Sequence, residues 1–160
     1  MQHSVFISGA AQGIGAEIAC IFHKNGYKVG IYDIDEEKAQ HLAQQLGENA
    51  KAGYLDVSNY RQWQIALRAF RNWAGELNIL VNNAGVLYSG AFENTAIQSH
   101  HRTIDINIKG ALNGCHAALT HLQKSSFARV INLSSASAIY GQADLVSYSA
   151  SKFAIRGLTE

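Results

Sequence analysis

The sequence predicts an α/β fold built on a doubly wound parallel sheet. Short β-branched segments alternate with longer amphipathic ones along the chain, the pattern of repeated βαβ units. The strand segments VFIS, VGIYD, ILVNN and VINLS are almost continuously apolar, as expected of strands with helices on both faces. Polar, glycine-bearing turns follow the strands, and ligands gather outside strand C-termini in such sheets.

Taken in order, strands are expected at Ser4–Ser8, Lys28–Asp33, Lys51–Asp56, Leu77–Asn82 and Arg129–Ser134. Helices are expected at Gly13–Asn25, Glu36–Leu46, Tyr60–Trp73, Ser99–Lys124 and from Tyr148 to Glu160. Asp35 is placed to cap the second helix. The long fourth helix carries Ile104, Ile108, Leu112, Cys115, Leu119 and Leu122 at three- and four-residue spacing, an apolar stripe. No repeat or linker divides the chain, so residues 1–160 are expected to form one domain.

Composition narrows the function classes. With 48% hydrophobic and 16% charged residues the chain is globular, and a net charge of +1 gives no reason to expect nucleic acid or an anionic membrane as partner. Cys20 and Cys115 fit no disulfide framework or metal-ligand spacing, and the histidines are not grouped with other ligand types, so no metal is expected. The opening MQHSVFISGA has no basic region of the kind that starts a secretory leader. No apolar run is long enough to span a bilayer, and a cytoplasmic setting is the expectation.

The first strand runs into Ser8-Gly9-Ala10-Ala11-Gln12-Gly13-Ile14-Gly15, a GxxxGxG turn opening a helix. Glycines there let a pyrophosphate approach the helix N-terminus, whose free N–H groups and dipole favour anions; tight turns use glycine for other reasons too. Asp33 ends the second strand, where a carboxylate can accept hydrogen bonds from the adenosine ribose hydroxyls and would repel a 2′-phosphate. Neither Gln12 nor Ile34 brings a positive charge, which favours NAD over NADP. Asp56-Val57 and Asn82-Asn83-Ala84-Gly85 follow the third and fourth strands and can approach adenine and ribose, though each could be an ordinary turn.

Ser135 precedes Tyr148 by thirteen positions, and Tyr148 precedes Lys152 by four, which puts the last two on one helix face. A phenol has an ordinary pKa of about 10, and a neighbouring cation favours its ionised form, so the pair is a way to make an acid or base usable near neutral pH. Asn107 in mid-helix is a poor helix former that needs another reason to be there.

As an ordered set these residues resemble the short-chain dehydrogenase/reductase family: SGAAQGIG, Asp33, Asp56-Val57, NNAG at 82–85, Asn107, Ser135 after VINLS, and Tyr148-Ser149-Ala150-Ser151-Lys152. The GxxxGxG and YxxxK spacings resemble its smaller dehydrogenase type. The resemblance implies a Rossmann-like sheet, with five strands of a normal seven present, and hydride exchange between NAD(H) and a secondary alcohol or ketone. It implies Tyr148 as general acid/base, Lys152 as the partner that tunes it and holds the nicotinamide ribose, Ser135 as the group that positions the substrate oxygen, and Asn107 as the holder of a water behind Lys152. Cofactor contacts would come from Gly9, Gln12, Gly13, Ile14, Gly15, Asp33, Ile34, Asp56, Val57, Asn83, Ala84, Gly85, Tyr148 and Lys152. Ser135, Ser137, Gln142 and Tyr148 would line the substrate side, with Val86, Tyr88, Ile139 and Tyr140 nearby.

The resemblance also implies a homodimer or homotetramer paired through the helices at 99–124 and 148–160. Family members continue past this point through a further strand, a proline-bearing turn and a substrate lid, and the sequence has no proline. The expectation is therefore an N-terminal part of a longer enzyme, with strand five as an uncovered edge. The alternative to an oxidoreductase is a non-catalytic NAD-binding or interaction module.

Overall fold

The computed structural model describes residues 2–160. Five parallel strands stand in the order β3-β2-β1-β4-β5: β1 Ser4–Ser8, β2 Lys28–Asp33, β3 Ala50–Tyr54, β4 Ile79–Asn82 and β5 Arg129–Asn132. Helices α1 Gly13–Lys24, α2 Glu36–Leu46 and α3 Tyr60–Ala74 connect the first four. Between β4 and β5 come α4 Ile97–Ile104 and α5 Gly110–Leu122, and α6 Val146–Thr159 follows β5. The strands agree with the sequence expectation to within two residues at each end.

Strand alternation divides the core into two layers, as a period of two residues requires. Val5 and Ile7 of β1 join Val29, Ile31, Ile79 and Val81 under α1 and α2, whereas Phe6 faces Tyr32, Trp63, Phe70 and Leu80 under α3. Helix α3 buries Trp63, Ala66, Leu67, Phe70 and Ala74, three to four residues apart, and Asn59 caps it by accepting from the Gln62 N–H at 3.2 Å. The indole of Trp63 reaches α5 because residue 114 is glycine; a Cβ there would stand 2.7 Å from the ring.

β1 pairs with β2 on one side and β4 on the other, so the chain reverses its winding direction at β1/β4. The loops that leave these strands therefore diverge to opposite faces and leave a crevice between them. β5 is an edge, as expected. Val130 and Ile131 each remain 42% exposed, so the run that reads as doubly covered is covered only in part.

One expectation is corrected. The segment read as a single helix over 99–124 is interrupted at Asp105–Lys109 by a π-helical turn, in which the Gly110 N–H reaches back five residues to the Asp105 carbonyl. The wider turn accommodates an extra residue and redirects Asn107 into the interior, where it is buried. No helix among the described residues is long and apolar enough to cross a membrane.

Trp63 is fully buried and its Nε1 donates to the Val57 carbonyl at 3.0 Å. Trp63→Ala is expected to cost about 3–5 kcal/mol, read as a lowered denaturation midpoint in urea.

Candidate active site

The crevice is built from the contact between two loops. After β1, Gly9 takes φ +66° and lies so close to residue 84 that a Cβ would stand 2.6 Å from the Ala84 Cα. After β4, Asn83 reaches across: its Nδ2 donates to the carbonyls of Ser8 at 3.1 Å and Gly9 at 2.6 Å, and its backbone N–H donates to the Ser8 hydroxyl at 3.3 Å. Gly15 is buried in the same junction, where a Cβ would overlap the Gly9 carbonyl and the Asn83 amide. Asn83 and Gly15 thus shape the junction itself, and Gly15 and Gly13 do not line the open cleft.

That cleft has a volume of about 840 Å³ and is walled by Gly9, Gln12, Ile14, Asp33, Ile34, Asp56, Val57, Asn83, Ala84, Gly85, Tyr148 and Lys152 among others. Its size is that of a cofactor or drug-sized ligand site. The N-terminus of α1 opens at it. Gln12 makes no side-chain cap there, and the first turn of α1 holds no acidic residue, so the helix presents its N–H groups without an internal anion. Asp33 uses one oxygen to accept from the Ala11 N–H and the other to accept from the Asp35 N–H, both at 3.0 Å. It therefore fixes the glycine turn while each oxygen retains further acceptor capacity. Asp35 caps α2, as its position suggested. Asp56 accepts from both the N–H and the hydroxyl of Ser58.

At the other end, Asn107 acts as a clamp. Its Oδ1 accepts from the Val86 N–H at 2.8 Å, and its Nδ2 donates to the Val86 carbonyl at 2.9 Å and to the Ser151 hydroxyl at 3.0 Å. Ser151, fully buried, donates its own hydroxyl hydrogen bond to the Tyr148 carbonyl at 2.7 Å. One asparagine thus joins the loop after β4 to the helix that carries Tyr148. Both Nδ2 hydrogens are committed to these bonds, so a water at the side chain of residue 107 would have to donate to the remaining lone pair of Oδ1.

Lys152 is buried, with its Nζ donating to the Leu133 carbonyl at 2.7 Å and lying 5.5 Å from the centre of the Tyr148 ring. Burial holds its ammonium below the ordinary lysine range. Tyr148 is half-buried and, like Lys152, lines the cleft.

Ser135, Ser137 and Gln142 stand apart from the cleft lining. The Ser135 Oγ accepts from the Ser137 N–H at 3.2 Å and caps the short turn Ala136–Ala138. Ser137 is buried and donates to Gln142 Oε1 at 3.1 Å, so its hydroxyl is turned inward. Sequence reasoning missed Ser151, the Leu133 carbonyl and Arg102, a cleft-lining cation on α4. Ser151 lies within the YSASK run, three residues from Tyr148 on a helix, and that spacing was the available signal. The other two carry no signal of their own.

Comparison with known proteins places these features in context. The family model of the short chain dehydrogenases matches residues 3–160. A 3-alpha-(or 20-beta)-hydroxysteroid dehydrogenase of Mycobacterium tuberculosis is 34% identical over 154 residues, which cover 96% of this chain and 59% of that protein. A 3-beta-hydroxysteroid dehydrogenase of Comamonas testosteroni is 33% identical, covering 96% and 60%. Among solved structures, the 3-ketoacyl-(acyl-carrier-protein) reductase of Brucella melitensis complexed with NADH superposes with a TM-score of 0.94 at 28% identity, covering 98% of this chain and 66% of the other. A gluconate 5-dehydrogenase of Burkholderia cenocepacia in complex with NADP and tartrate gives 0.92 at 28% identity, covering 99% and 64%. The chain spans about three fifths of the length of the curated relatives it matches.

Three outcomes follow from the geometry. Asn107→Leu strands the Val86 N–H and C=O, at about 1–3 kcal/mol for each group left buried without a partner; urea unfolding should show the loss and the Val86 amide should exchange faster. Ser151→Ala should cost less, because both Val86 bonds survive. Lys152 has a folded-state pKa below its unfolded value near 10.5, so between those two values the unfolded chain binds the proton more readily. Its penalty is present below the lowered value and relieved as pH rises toward 10.5, and the stability of wild type relative to Lys152→Met should therefore climb with pH over that window.

Proposed function

The chain belongs to the short-chain dehydrogenase family, and from that premise we propose that it is an oxidoreductase exchanging hydride between NAD(H) and a neutral secondary alcohol or ketone. The observation that carries this reading is that the uncapped N-terminus of α1 and the Tyr148–Lys152 pair open into one cleft. The residues present fit a dinucleotide. The glycine turn would admit the pyrophosphate, Asp33 would accept from the ribose hydroxyls of adenosine, and Asp56-Val57 would meet the adenine. Asp33 in that place disfavours a 2′-phosphate, which supports NAD over NADP.

When bound, the nicotinamide supplies or receives the hydride. The chain's own residues would handle the proton and the alignment. Tyr148 would give a proton to the carbonyl oxygen in reduction, or take it from the hydroxyl in oxidation, a role worth about 10²–10⁴-fold. Lys152, fixed by the Leu133 carbonyl, would stabilise negative charge on the phenol oxygen and reach the nicotinamide ribose. Ser135 would release its turn-capping role to hold the substrate oxygen. Val86 and Leu87 add apolar wall to the cleft, in keeping with the hydroxysteroids named for two relatives. Leu112 and Leu119 of α5 are 51% and 50% exposed and Phe153 of α6 is 43% exposed, a surface that suits pairing with a second copy.

The test is a fluorescence titration with NADH and NADPH, followed by turnover on a panel of secondary alcohols including hydroxysteroids. Tyr148→Phe should lower kcat by at least about 100-fold while leaving NADH affinity unchanged. Unchanged turnover would overturn the role of Tyr148, and tighter NADPH binding would overturn that of Asp33.

A further inference from the structure

We propose that the end of the sheet opposite the nucleotide cleft carries a second site, for a small phosphate-bearing anion, formed by Arg71, Lys124 and His121 together with Lys28. These residues surround a concavity of about 560 Å³ where α3 and α5 end and β2 and β4 begin. That volume lies within the range of small-ligand sites.

None of the cations in this concavity is held in an ion pair. The three ion pairs among the described residues join Lys38 to Asp35, Lys109 to Asp105 and Arg156 to Glu160, and none involves the cluster. Glu76 is the only carboxylate on the lining, and it forms no ion pair with these cations. Its oxygens accept from the Ser126 N–H at 3.0 Å and the Asn78 amide at 3.2 Å, and hydrogen bonding by the Ser125 hydroxyl first, then by Ser126 and Asn78, holds it below the usual carboxylate range.

Helix ends alone would attract some of these cations, and the magnitude decides whether they account for all of them. A helix C-terminus is equivalent to about half a negative charge. The ends of α3 and α5 together with Glu76 therefore offset about two of the three permanent charges of Lys28, Arg71 and Lys124. Lys28 is the one most clearly held by a helix end, with its Nζ 3.4 Å from the Trp73 and Ala74 carbonyls and 5.5 Å from the Trp73 ring. Arg71 and Lys124 remain exposed and facing the concavity, and Arg68 lies close by on α3. The half-buried His121 records the excess: burial first, then Arg71, Lys124 and Arg68, hold its imidazole below the ordinary histidine range. A bound phosphate would neutralise the two exposed cations and favour a proton on His121, which adds a charged donor.

The His121 imidazole is the reporter. NMR titration of its ring resonances should give a protonation midpoint that rises by about one unit in inorganic phosphate relative to sodium chloride of equal ionic strength. Glycerol 3-phosphate in a parallel arm separates phosphate esters from the free ion, and a rise with either supports the site. In the double variant Arg71→Gln/Lys124→Gln the phosphate-dependent rise should vanish, with the remaining resonances unmoved as evidence of an intact fold. No rise beyond the chloride control in either arm, or an equal rise in the double variant, would overturn the proposal. Nothing in this test depends on the oxidoreductase reading, since the site lies at the other end of the strands.

Discussion

Everything at the cleft depends on how closely two loops from different parts of the chain can approach. The Asn83 side chain donates to the carbonyls of Ser8 and Gly9, and that contact is possible only because residues 9 and 15 carry no Cβ. Leaving these part-buried carbonyls without partners would cost up to about 1–3 kcal/mol each, so the amide of Asn83 stabilises the junction once the loops meet. Asp33 then pins the far side of the same turn through the Ala11 N–H. The N-terminus of α1 is aimed into the crevice by these two side chains before any ligand arrives.

The second anchoring system is polar and deeper. Asn107, Val86, Ser151 and the Tyr148 carbonyl form a chain of hydrogen bonds across three elements. Lys152 is joined instead to the segment that leaves β5, through the Leu133 carbonyl. Burying an ammonium against a single carbonyl opposes stability, and burial moves its proton affinity in the direction that makes it easier to lose. Such strain in the electrostatics is common where a protein holds a charge for chemistry.

Much of this arrangement was legible in the residue pattern. Strands at 4–8 and 28–33 are apolar on both faces, and Asp33 and Asp35 sit where a strand end and a helix cap need acceptors. These are local signals, written in adjacent residues. The π-helical turn at 105–109 was not legible, because its cause is tertiary: Asn107 gains two bonds to Val86, 21 residues earlier, and one to Ser151, 44 residues later. A window around residue 107 shows only a weak helix former. Ser137 shows the same limit in an irregular segment, since a hydroxyl close in sequence to Ser135 is turned inward onto Gln142. Direction of a side chain in an irregular segment depends on which partner is near, and that is decided by packing.

The pairing of β1 with β4 carries a consequence for how the molecule comes to exist. Val5 lies beside Ile79, and Asn83 bonds a residue 75 positions earlier, so the crevice is made from contacts of high sequence separation. Such contacts incur their loop-closure entropy before they return any stability. Residues 4–54, with three neighbouring strands and two crossover helices, can assemble from nearer partners. The order of events in refolding should follow that difference: a β1–β3 half forms first, without a crevice, and the binding surface arises in the single late step in which β4 docks and Asn83 crosses to Gly9.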